Sequence, residues 1–334
     1  QLERILAAVY EALSVAPGAE VTLEANPGTV DEPYLRGLRS LGVNRLSLGV
    51  QSFDDGELRR LDRIHDSAQA VAAYRAARAA GFANVNLDLI FGLAGQTLAG
   101  WRANLRRAAE LAPEHLSLYG LTVESGTKLA WQVEHGVAPA PDPDLQADMY
   151  EAAGEQMAAA GFEQYEISNW SRPGRACAHN LIYWRNQPYL GLGAGAHSCF
   201  AGRRFAMVRP PAGYIARMAT ASGGAAPPDA ALRSRFPQIV EETAIDPLTD
   251  ASDTATLGLR LNAGVDLNAF ARRHGAALDA LAGPALAELE GWGLVERTHG
   301  RLRLTPRGRL LSNEVFLRLL PSELDAAALG GAVR

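Results

Sequence analysis

Hydrophobic and polar residues alternate in four stretches of the first half of the chain, and a period of two is typical of β-strands. The clearest stretch alternates apolar and polar side chains over Val85, Asn86, Leu87, Asp88 and Leu89. A loop reading Gly-Leu-Ala-Gly-Gln-Thr follows, and a helical pattern comes next. Strands of helix-covered parallel sheets are usually unbroken apolar runs, and a buried carboxylate is costly without a partner. The position of Asp88 therefore predicts one wall of a binding site.

The four alternating stretches, 21–25, 45–51, 84–91 and 115–124, are separated by patterns typical of helices. Four consecutive strand–helix units predict a parallel sheet with right-handed crossovers, in an α/β barrel or a doubly wound sheet. Every strand has polar residues on its inward face, which the packed interior of a closed barrel would not accommodate. The Gly-x-Gly-x-x-Gly sequence that opens many doubly wound sheets does not open the first unit. We therefore predict an α/β fold with an open barrel that takes a ligand in its lumen.

The second half of the chain is predicted to hold a loop-rich extension and a separate C-terminal domain. Residues 168–200 are predicted to be irregular and are dense in aromatic residues, glycine and histidine, and ordered loops of this length tend to be functional. The Pro/Gly-rich residues 219–229 are the clearest linker. Residues 230–334 carry helices followed by a β-hairpin, which predicts a winged-helix-like domain. The core domain is then 1–218, with the extension at 162–200.

Composition and charge argue against several classes of protein. The chain has 334 residues, is 48% hydrophobic and has a net charge of −5, with charges of both signs interspersed. This balance argues against an extended basic surface for nucleic acid or for an anionic membrane. No apolar run is long enough for a transmembrane helix. The two cysteines, Cys177 and Cys199, do not form a disulfide framework, so we expect a reducing, cytoplasmic location.

Four polar residues on successive strand–loop units are candidates for a binding site: Glu24, Gln51, Arg63 and Asp88. Active sites of α/β barrels gather at the carboxyl ends of the strands, where these side chains are expected to converge. Two carboxylates, an amide and a guanidinium suit a small zwitterionic molecule that is rich in hydroxyl groups. In the alternative, Glu24 and Arg63 form a salt bridge inside the barrel without a function, which is disfavoured because buried pairs rarely add stability on their own.

Several segments together resemble one family of proteins. The segments of the first half are Thr22–Gly28, Leu48–Phe53, Arg63–His65, Leu87–Thr97 and Leu118–Thr127. They resemble the radical S-adenosylmethionine (SAM) proteins of the oxygen-independent coproporphyrinogen III oxidase group. Two later segments narrow the resemblance to the heme chaperone branch of that group, HemW: His-Asn-Leu-Ile-Tyr-Trp at 179–184, and Gly-Leu-Gly-Ala-Gly-Ala-His-Ser at 191–198. The resemblance runs in order through nearly the whole chain.

The resemblance implies cofactors as well as a fold. It implies that the four candidate residues occupy SAM-binding positions. It also implies a 4Fe-4S cluster, which the family holds with a Cys-x-x-x-Cys-x-x-Cys run on the first strand and loop of its barrel. Cluster iron requires thiolates, and Cys177 and Cys199 have the wrong spacing and location. The cysteine run and a glycine-rich SAM-contacting loop belong before Gln1, so we expect a radical SAM-type barrel that lacks its first strands.

A second candidate set lies in the extension, at His179, Tyr183 and Trp184, with His197 nearby in the sequence. Imidazole is a common ligand of haem iron, and flat aromatic side chains pack against a porphyrin. The resemblance implies haem binding, without establishing His179 as the axial ligand. In the alternative, His179 hydrogen-bonds a loop and the aromatic rings fill a core.

Zinc is a further candidate ligand of the extension. Cys177, His179, His197 and Cys199 together supply two thiols and two imidazoles. Their spacing within each pair is tighter than that of zinc fingers, so a zinc site is disfavoured.

The sequence supports three functional hypotheses. The first is a cytoplasmic radical SAM heme chaperone that binds SAM and haem and delivers haem to acceptor proteins. The second is an oxygen-independent coproporphyrinogen III oxidase-like enzyme that removes propionate carboxylates, although the segment 179–184 favours the chaperone. The third is a ligand-sensing winged-helix regulator, because the predicted hairpin is basic at His299, Arg301, Arg303, Arg307 and Arg309. The acidic chain favours a solvated wing, with no nucleic acid as a partner.

Overall fold

The computed structural model describes residues 1–220 and 232–329. Its contacts divide the chain into two compact units, Gln1–Ala178 and His179–Arg334. This division differs from the boundary that the sequence predicted at 219–229. The first two residues of that predicted linker end a helix, and the others lie outside the described residues. The predicted linker therefore stays a prediction.

The first unit is built on a six-stranded sheet whose first four strands are parallel, as the sequence predicted. The strands are β1 (Thr22–Ala25), β2 (Arg45–Gln51), β3 (Val85–Phe91), β4 (His115–Gly120), β5 (Glu163–Glu166) and β6 (Asn169–Ser171). Their order is β1-β2-β3-β4-β6-β5, and β6 pairs antiparallel with both of its neighbours. Within the described residues the sheet has β1 and β5 as edges and does not close, which confirms the open α/β architecture.

Seven helices of the first unit precede, connect or follow the parallel strands. They are α1 (Leu2–Ala12), α2 (Glu32–Ser40), α3 (Asp55–Arg60), α4 (Ser67–Ala79), α5 (Leu98–Glu110), α6 (Lys128–Glu134) and α7 (Pro143–Ala159). A capping box between Asp66 and Gln69 begins α4, and Thr97 caps α5 by accepting from the N–H of Gly100. Among the residues that the structure describes, no helix combines the length and the apolar character needed to cross a membrane.

The apolar face of the sheet packs against the helices. Leu48, Leu87 and Leu116, on three neighbouring strands, are fully buried. Trp101 of α5 is also fully buried, and its Nε1 donates to the carbonyl of Met149 in α7 at 2.9 Å. Because successive strand residues point to opposite faces, this packing leaves the polar residues on the other face of the sheet.

The second unit contains two three-stranded sheets and their helices. Its elements are α8 (Ala178–Trp184), which begins at the boundary, β7 (His197–Phe200), β8 (Arg203–Met207), α9 (Pro211–Thr220), α10 (Leu232–Arg235), β9 (Ile239–Ala244), α11 (Pro247–Arg260), β10 (Val265–Asp266), α12 (Leu267–His274), α13 (Leu278–Gly291), β11 (Val295–Thr298), β12 (Arg301–Leu304), α14 (Pro306–Leu310) and α15 (Ser312–Leu317). The strand orders are β7-β8-β9 and β10-β12-β11. The helices followed by the β11–β12 hairpin are the winged-helix-like arrangement that the sequence predicted.

The stretch predicted to be irregular, 168–200, contains more regular structure than expected. It includes β6, α8 and β7. The three residues of β6 are too few to show an alternating pattern, and they are held by pairing with β4 and β5. The seven residues of α8 are shorter than the window in which a helical period can be recognised.

Candidate functional site

The polar face of the parallel sheet brings side chains of β1 to β4 next to one another. The register pairs Glu24 with Ser47 and Ser47 with Asn86, and it pairs Asp88 with Ser117. Residues two apart on a strand share a face, so Asp88 lies on the same face as Asn86. Two predicted site residues, Glu24 and Asp88, therefore lie on one surface that spans β1 to β3.

Asp88 is half-buried, with a hydrogen-bond donor at each oxygen. Asn86 Nδ2 donates to Oδ1 at 2.7 Å, and Ser47 Oγ donates to Oδ2 at 3.0 Å. Burial is the largest influence on the pKa of the Asp88 carboxyl and raises it above its usual value, although these hydrogen bonds lower it. The negative charge of Glu24 raises this pKa further. Such a carboxylate suits a ligand that brings positive charge or hydroxyl donors.

Buried side chains continue this network from Asp88 across to β5. Asn86 Oδ1 lies 2.6 Å from His115 Nδ1. The other nitrogen of that imidazole, Nε2, lies 2.9 Å from the hydroxyl of Tyr165. Burial, together with the charge of Arg45, holds the pKa of His115 well below its ordinary value. The sequence analysis did not single out the contact between Asn86 and His115, because it depends on the register of β3 against β4.

Gln51 and Arg63 meet beside Gly49, at the carboxyl end of β2. Arg63 Nη2 donates to the carbonyl of Gly49 at 3.3 Å and to Oδ1 of Asn26. A Cβ added to Gly49 would lie 3.0 Å from Gln51 Nε2 and 3.4 Å from Arg63 Nη2, so glycine leaves room for both side chains. Arg63 Nε is buried and has no hydrogen-bond partner in the part of the chain that is described. Within those residues Arg63 bonds Asn26 and not Glu24, so the alternative salt bridge does not form.

The backbone of Gln51 explains how its side chain reaches this point. Gln51 has a φ of 66°, in the left-handed region that non-glycine residues adopt rarely. The register of β2 against β3 shifts between Leu48 and Gln51, as in a β-bulge. Bulges re-aim side chains, and backbone strain of this kind clusters at functional sites. The four predicted residues thus lie in two places. Glu24 and Asp88 lie on the polar face of the sheet, and Gln51 and Arg63 lie at the carboxyl end of β2.

Tyr119 lies two residues beyond Ser117 on β4, at the same face. Its pKa is raised to about 12, first by burial and then by the negative charge of Asp88. Glu166 and Glu24 raise it further. The residue as a whole is 42% exposed, so the burial concerns its hydroxyl. The charges of these three carboxylates favour the neutral phenol of Tyr119.

A buried carboxylate, Glu57, joins the loops that follow β2 and β3. It accepts from Ser52 Oγ at 2.5 Å, from Gln96 Nε2 at 3.0 Å and from Asn104 Nδ2 at 3.1 Å. Gln96 Oε1 in turn accepts from the N–H of Gly92 at 2.8 Å. These contacts fix the loops at the carboxyl ends of the two strands. Gln96, in the loop that follows β3, therefore has a structural role that the composition of this loop did not predict.

The aromatic residues of α8 fall into two groups. His179 and Tyr183 lie one helical turn apart, and their rings meet edge to face with centroids 4.7 Å apart. The ring of Tyr189 extends this stack, with its centroid 4.6 Å from that of Tyr183. The sequence did not predict Tyr189 as part of this set, because the residue lies beyond the helix. Trp184 instead lies under the guanidinium of Arg260, whose Cζ is 4.3 Å from the centroid of the Trp184 ring. The structure therefore brings His179 and Tyr183 together and leaves Trp184 in a separate contact.

Arginines of the basic hairpin pair with acidic residues of the same unit. Arg301 lies 3.3 Å from Asp266, and Arg303 lies 2.7 Å from Glu296. Arg307 donates to the carbonyl of Trp292 at 3.0 Å. Of these contacts, only that of Arg301 joins the hairpin to another element, β10, because Glu296 and Arg303 both lie within the hairpin. Arg307 and Arg309, which the sequence predicted in the hairpin, lie in α14.

The two cysteines, Cys177 and Cys199, lie in different units and do not form a disulfide with each other. No group of three or more His, Cys, Asp or Glu is placed to hold a metal ion, as far as the described residues extend. A 4Fe-4S cluster needs several thiolates around one site. The residues present therefore do not fit such a cluster.

Comparison with protein families matches two segments of the chain. Residues 2–108 match the radical SAM superfamily, and residues 245–311 match the HemN C-terminal domain. The first segment contains all four residues of the sheet site, and the second contains the β11–β12 hairpin.

Two relatives match nearly the whole chain. The heme chaperone HemW of Bacillus subtilis is 37% identical over 322 residues, which cover 95% of this chain and 80% of the relative. The heme chaperone HemW of Lactococcus lactis is 32% identical over 325 residues, which cover 97% of this chain and 82% of the relative. Among solved structures, coproporphyrinogen III oxidase (HemN) from Escherichia coli superimposes with a TM-score of 0.77, at 21% identity, over 95% of this chain and 73% of that one. At that level of identity the likeness shows a shared fold alone.

Proposed function

Because this chain belongs to the family of the heme chaperone HemW, within the radical SAM superfamily, we propose that it binds haem and delivers it to acceptor proteins. The observation that carries the proposal is an identity of 37% that extends over 95% of the chain, and therefore over both of its units. The proposed location is a reducing cytoplasm, which suits a chain whose two cysteines are not joined in a disulfide.

We propose SAM as a second ligand, on the polar face of the sheet. SAM supplies a positively charged sulfonium, ribose hydroxyls and an amino-acid end. The carboxylates of Glu24 and Asp88 suit the hydroxyls and the ammonium, and the guanidinium of Arg63 suits the carboxylate. Two observations support this assignment: the buried Arg63 Nε has no partner among the described residues, and burial raises the pKa of Asp88. A ligand of opposite charge would satisfy both groups.

The 4Fe-4S cluster that the superfamily implies finds no set of ligands among the residues described above. Cys177 and Cys199 are the cysteines of the sequence, and they lie in different units. We therefore assign no step of the proposed function to these two thiols. The proposal concerns the binding of SAM and haem by this chain.

The proposed haem contacts are His179 and Tyr183, with Trp184 as an indirect contributor. His179 is exposed on α8, where a porphyrin can reach its imidazole. The edge-to-face stack of His179, Tyr183 and Tyr189 supports a flat aromatic ligand beside it. Trp184, which lies under Arg260, would act through the placement of α8.

Titration of haemin with the purified chain tests this function. We expect a Soret band shifted from that of free haemin, and transfer of the haem to an added apo-haemoprotein. His179→Ala should weaken binding by about tenfold or more, because an iron–imidazole bond is lost. His135→Ala, at an exposed histidine of the first unit, is the matched control and should bind as the unsubstituted chain does. Equal affinity in the two variants would exclude His179 as a haem contact, and a chain that binds no haem would overturn the proposal.

The oxidase hypothesis makes a different prediction. Anaerobic incubation with coproporphyrinogen III, SAM and a reductant tests it in a form of the protein that holds a 4Fe-4S cluster, and should leave all four propionates intact if the protein is a chaperone. A vinyl product would support the oxidase. The structural likeness to HemN is a likeness of fold and does not decide between the two.

A further inference from the structure

A line of buried polar side chains crosses the sheet beneath the proposed SAM pocket, from Tyr165 through His115 and Asn86 to Asp88. The imidazole of His115 is fully buried, and Asn86 is 2% exposed. The hydrogen-bond lengths along the line are 2.9, 2.6 and 2.7 Å. Two buried polar residues in the middle of a sheet are costly unless each polar atom has a partner.

The orientation of the Asn86 amide follows from its neighbours. Its Nδ2 lies 2.7 Å from Asp88 Oδ1 and 2.7 Å from Ser47 Oγ. An ionised carboxylate only accepts hydrogen bonds, so the atom that faces Asp88 must be the amide nitrogen. The amide oxygen then faces His115 and Ser117, whose Oγ donates to it at 3.2 Å.

The protonation state of His115 follows in turn. Burial and the charge of Arg45 hold the pKa of His115 well below its ordinary value, so its imidazole is neutral and carries one N–H. The atom facing Nδ1 is the oxygen of Asn86, which only accepts, so Nδ1 must carry the proton. Nε2 then accepts from the hydroxyl of Tyr165. In each hydrogen bond along the line, the donor lies on the side of Tyr165 and the acceptor lies on the side of Asp88.

We propose that His115 is a positioning residue for the ligand-binding carboxylate of Asp88. By holding the amide oxygen of Asn86, it directs one amide N–H at the Asp88 carboxylate and the other at Ser47 Oγ, and Ser47 in turn donates to the second carboxylate oxygen. With both carboxylate oxygens held from within the sheet, their remaining lone pairs are directed at the pocket before a ligand arrives, which reduces the ordering cost of binding. This inference rests on the proposed SAM site.

Two substitutions of similar size separate this role from simple packing. The amide of asparagine reaches the place of Nδ1 of a histidine, and the amide of glutamine reaches the place of Nε2. His115→Asn therefore keeps a donor to Asn86 and loses the contact with Tyr165, whereas His115→Gln keeps the contact with Tyr165 and loses the donor. Both remove a fully buried ring, and asparagine leaves a cavity larger by one methylene group than glutamine does, so packing alone predicts the greater loss in His115→Asn.

Calorimetric titration with SAM provides the readout. We expect affinity within about twofold of the unsubstituted chain for His115→Asn and about tenfold weaker binding for His115→Gln, because a misplaced amide leaves the charged Asp88 without one donor. Equal losses in both variants, or the greater loss in His115→Asn, would show that His115 only fills space, and would overturn its positioning role. If the unsubstituted chain binds no SAM, the proposed SAM site fails first, and the positioning role fails with it. The two failures are thus distinguishable.

Long-range proton–nitrogen NMR spectra of the histidines give a second readout that packing alone does not move. We expect the neutral Nδ1–H tautomer at His115, and we expect Tyr165→Phe to keep it, because Nδ1 still faces the amide oxygen of Asn86. A protonated Nε2 in the unsubstituted chain would reverse the direction of the line and overturn the proposal.

Discussion

Gln96 joins the loops that follow β2 and β3, so we expect Gln96→Ala to loosen both. The side chain is buried, donates to the Glu57 carboxylate at 3.0 Å and accepts from the N–H of Gly92 at 2.8 Å. A hydrogen bond to a charged group contributes about 1.5–3 kcal/mol, and a buried donor left without an acceptor costs about 1–3 kcal/mol. Water that enters the vacated space offsets part of this loss. The expected destabilisation of the loop pair is about 3 kcal/mol.

Hydrogen exchange followed by mass spectrometry measures this loss locally, which matters because a chain of two units need not unfold in one step. Lowering the cost of opening by about 3 kcal/mol raises the exchange rate of protected amides by roughly 100-fold. The effect should appear in peptides that contain Gly92 or Glu57. Gln187→Ala, at an exposed glutamine of the second unit, is the control and should leave both peptides unchanged. A change below about fivefold in Gln96→Ala would refute the role of this hydrogen-bond pair.

Three further predictions concern the same unit. Asp88→Asn should stabilise the fold at pH 8. The pKa of Asp88 is raised above 3.8 in the folded state, so the ionised carboxylate lowers the free energy of unfolding at pH values above its folded pKa. Guanidinium unfolding at several pH values should show that the stability gained by the substitution disappears as the pH falls to about 4. Absorbance titration at alkaline pH should show one phenol with a pKa of about 12 in the unsubstituted chain, and this phenol should be missing from Tyr119→Phe. If the phenol that the substitution removes instead titrates with a pKa near 10, the hydroxyl of Tyr119 is not buried. Denaturant unfolding should show that Gly92→Ala lowers the free energy of unfolding by at least about 2 kcal/mol more than Gly95→Ala does. Both glycines have a positive φ, but an added Cβ collides with the Gln146 side chain only at Gly92, so equal losses would contradict this packing.

The parallel sheet and its two faces could be predicted from the sequence because alternation with a period of two assigns each strand residue to a face. For the same reason the sequence predicts a binding site at Asp88, since this carboxylate interrupts an apolar strand, and the site stays a prediction. The pairing of β6 with β4 and β5 could not be predicted in this way. Its three residues, Asn169–Ser171, are held by their neighbours and have no pattern of their own.

The site itself was predicted in part. Glu24, Gln51, Arg63 and Asp88 were identified by residue type and place, but the left-handed backbone of Gln51 was not, because no glycine marks it. The contact between Asn86 and His115 depends on register, which joins residues 29 positions apart. Cross-strand partners of this kind become visible only when the strands are aligned. The stack of Tyr189 on Tyr183 is likewise a product of the turn after α8.

We propose that side chains of separate strands converge on one pocket for SAM. Calorimetric titration with SAM of the unsubstituted chain, of Asp88→Asn and of Asp144→Asn, at an exposed aspartate, tests this proposal. We expect the unsubstituted chain and Asp144→Asn to bind SAM equally, and Asp88→Asn to bind about tenfold more weakly, because a charged acceptor is lost. Equal affinity in all three proteins, or no binding by the unsubstituted chain, would contradict it.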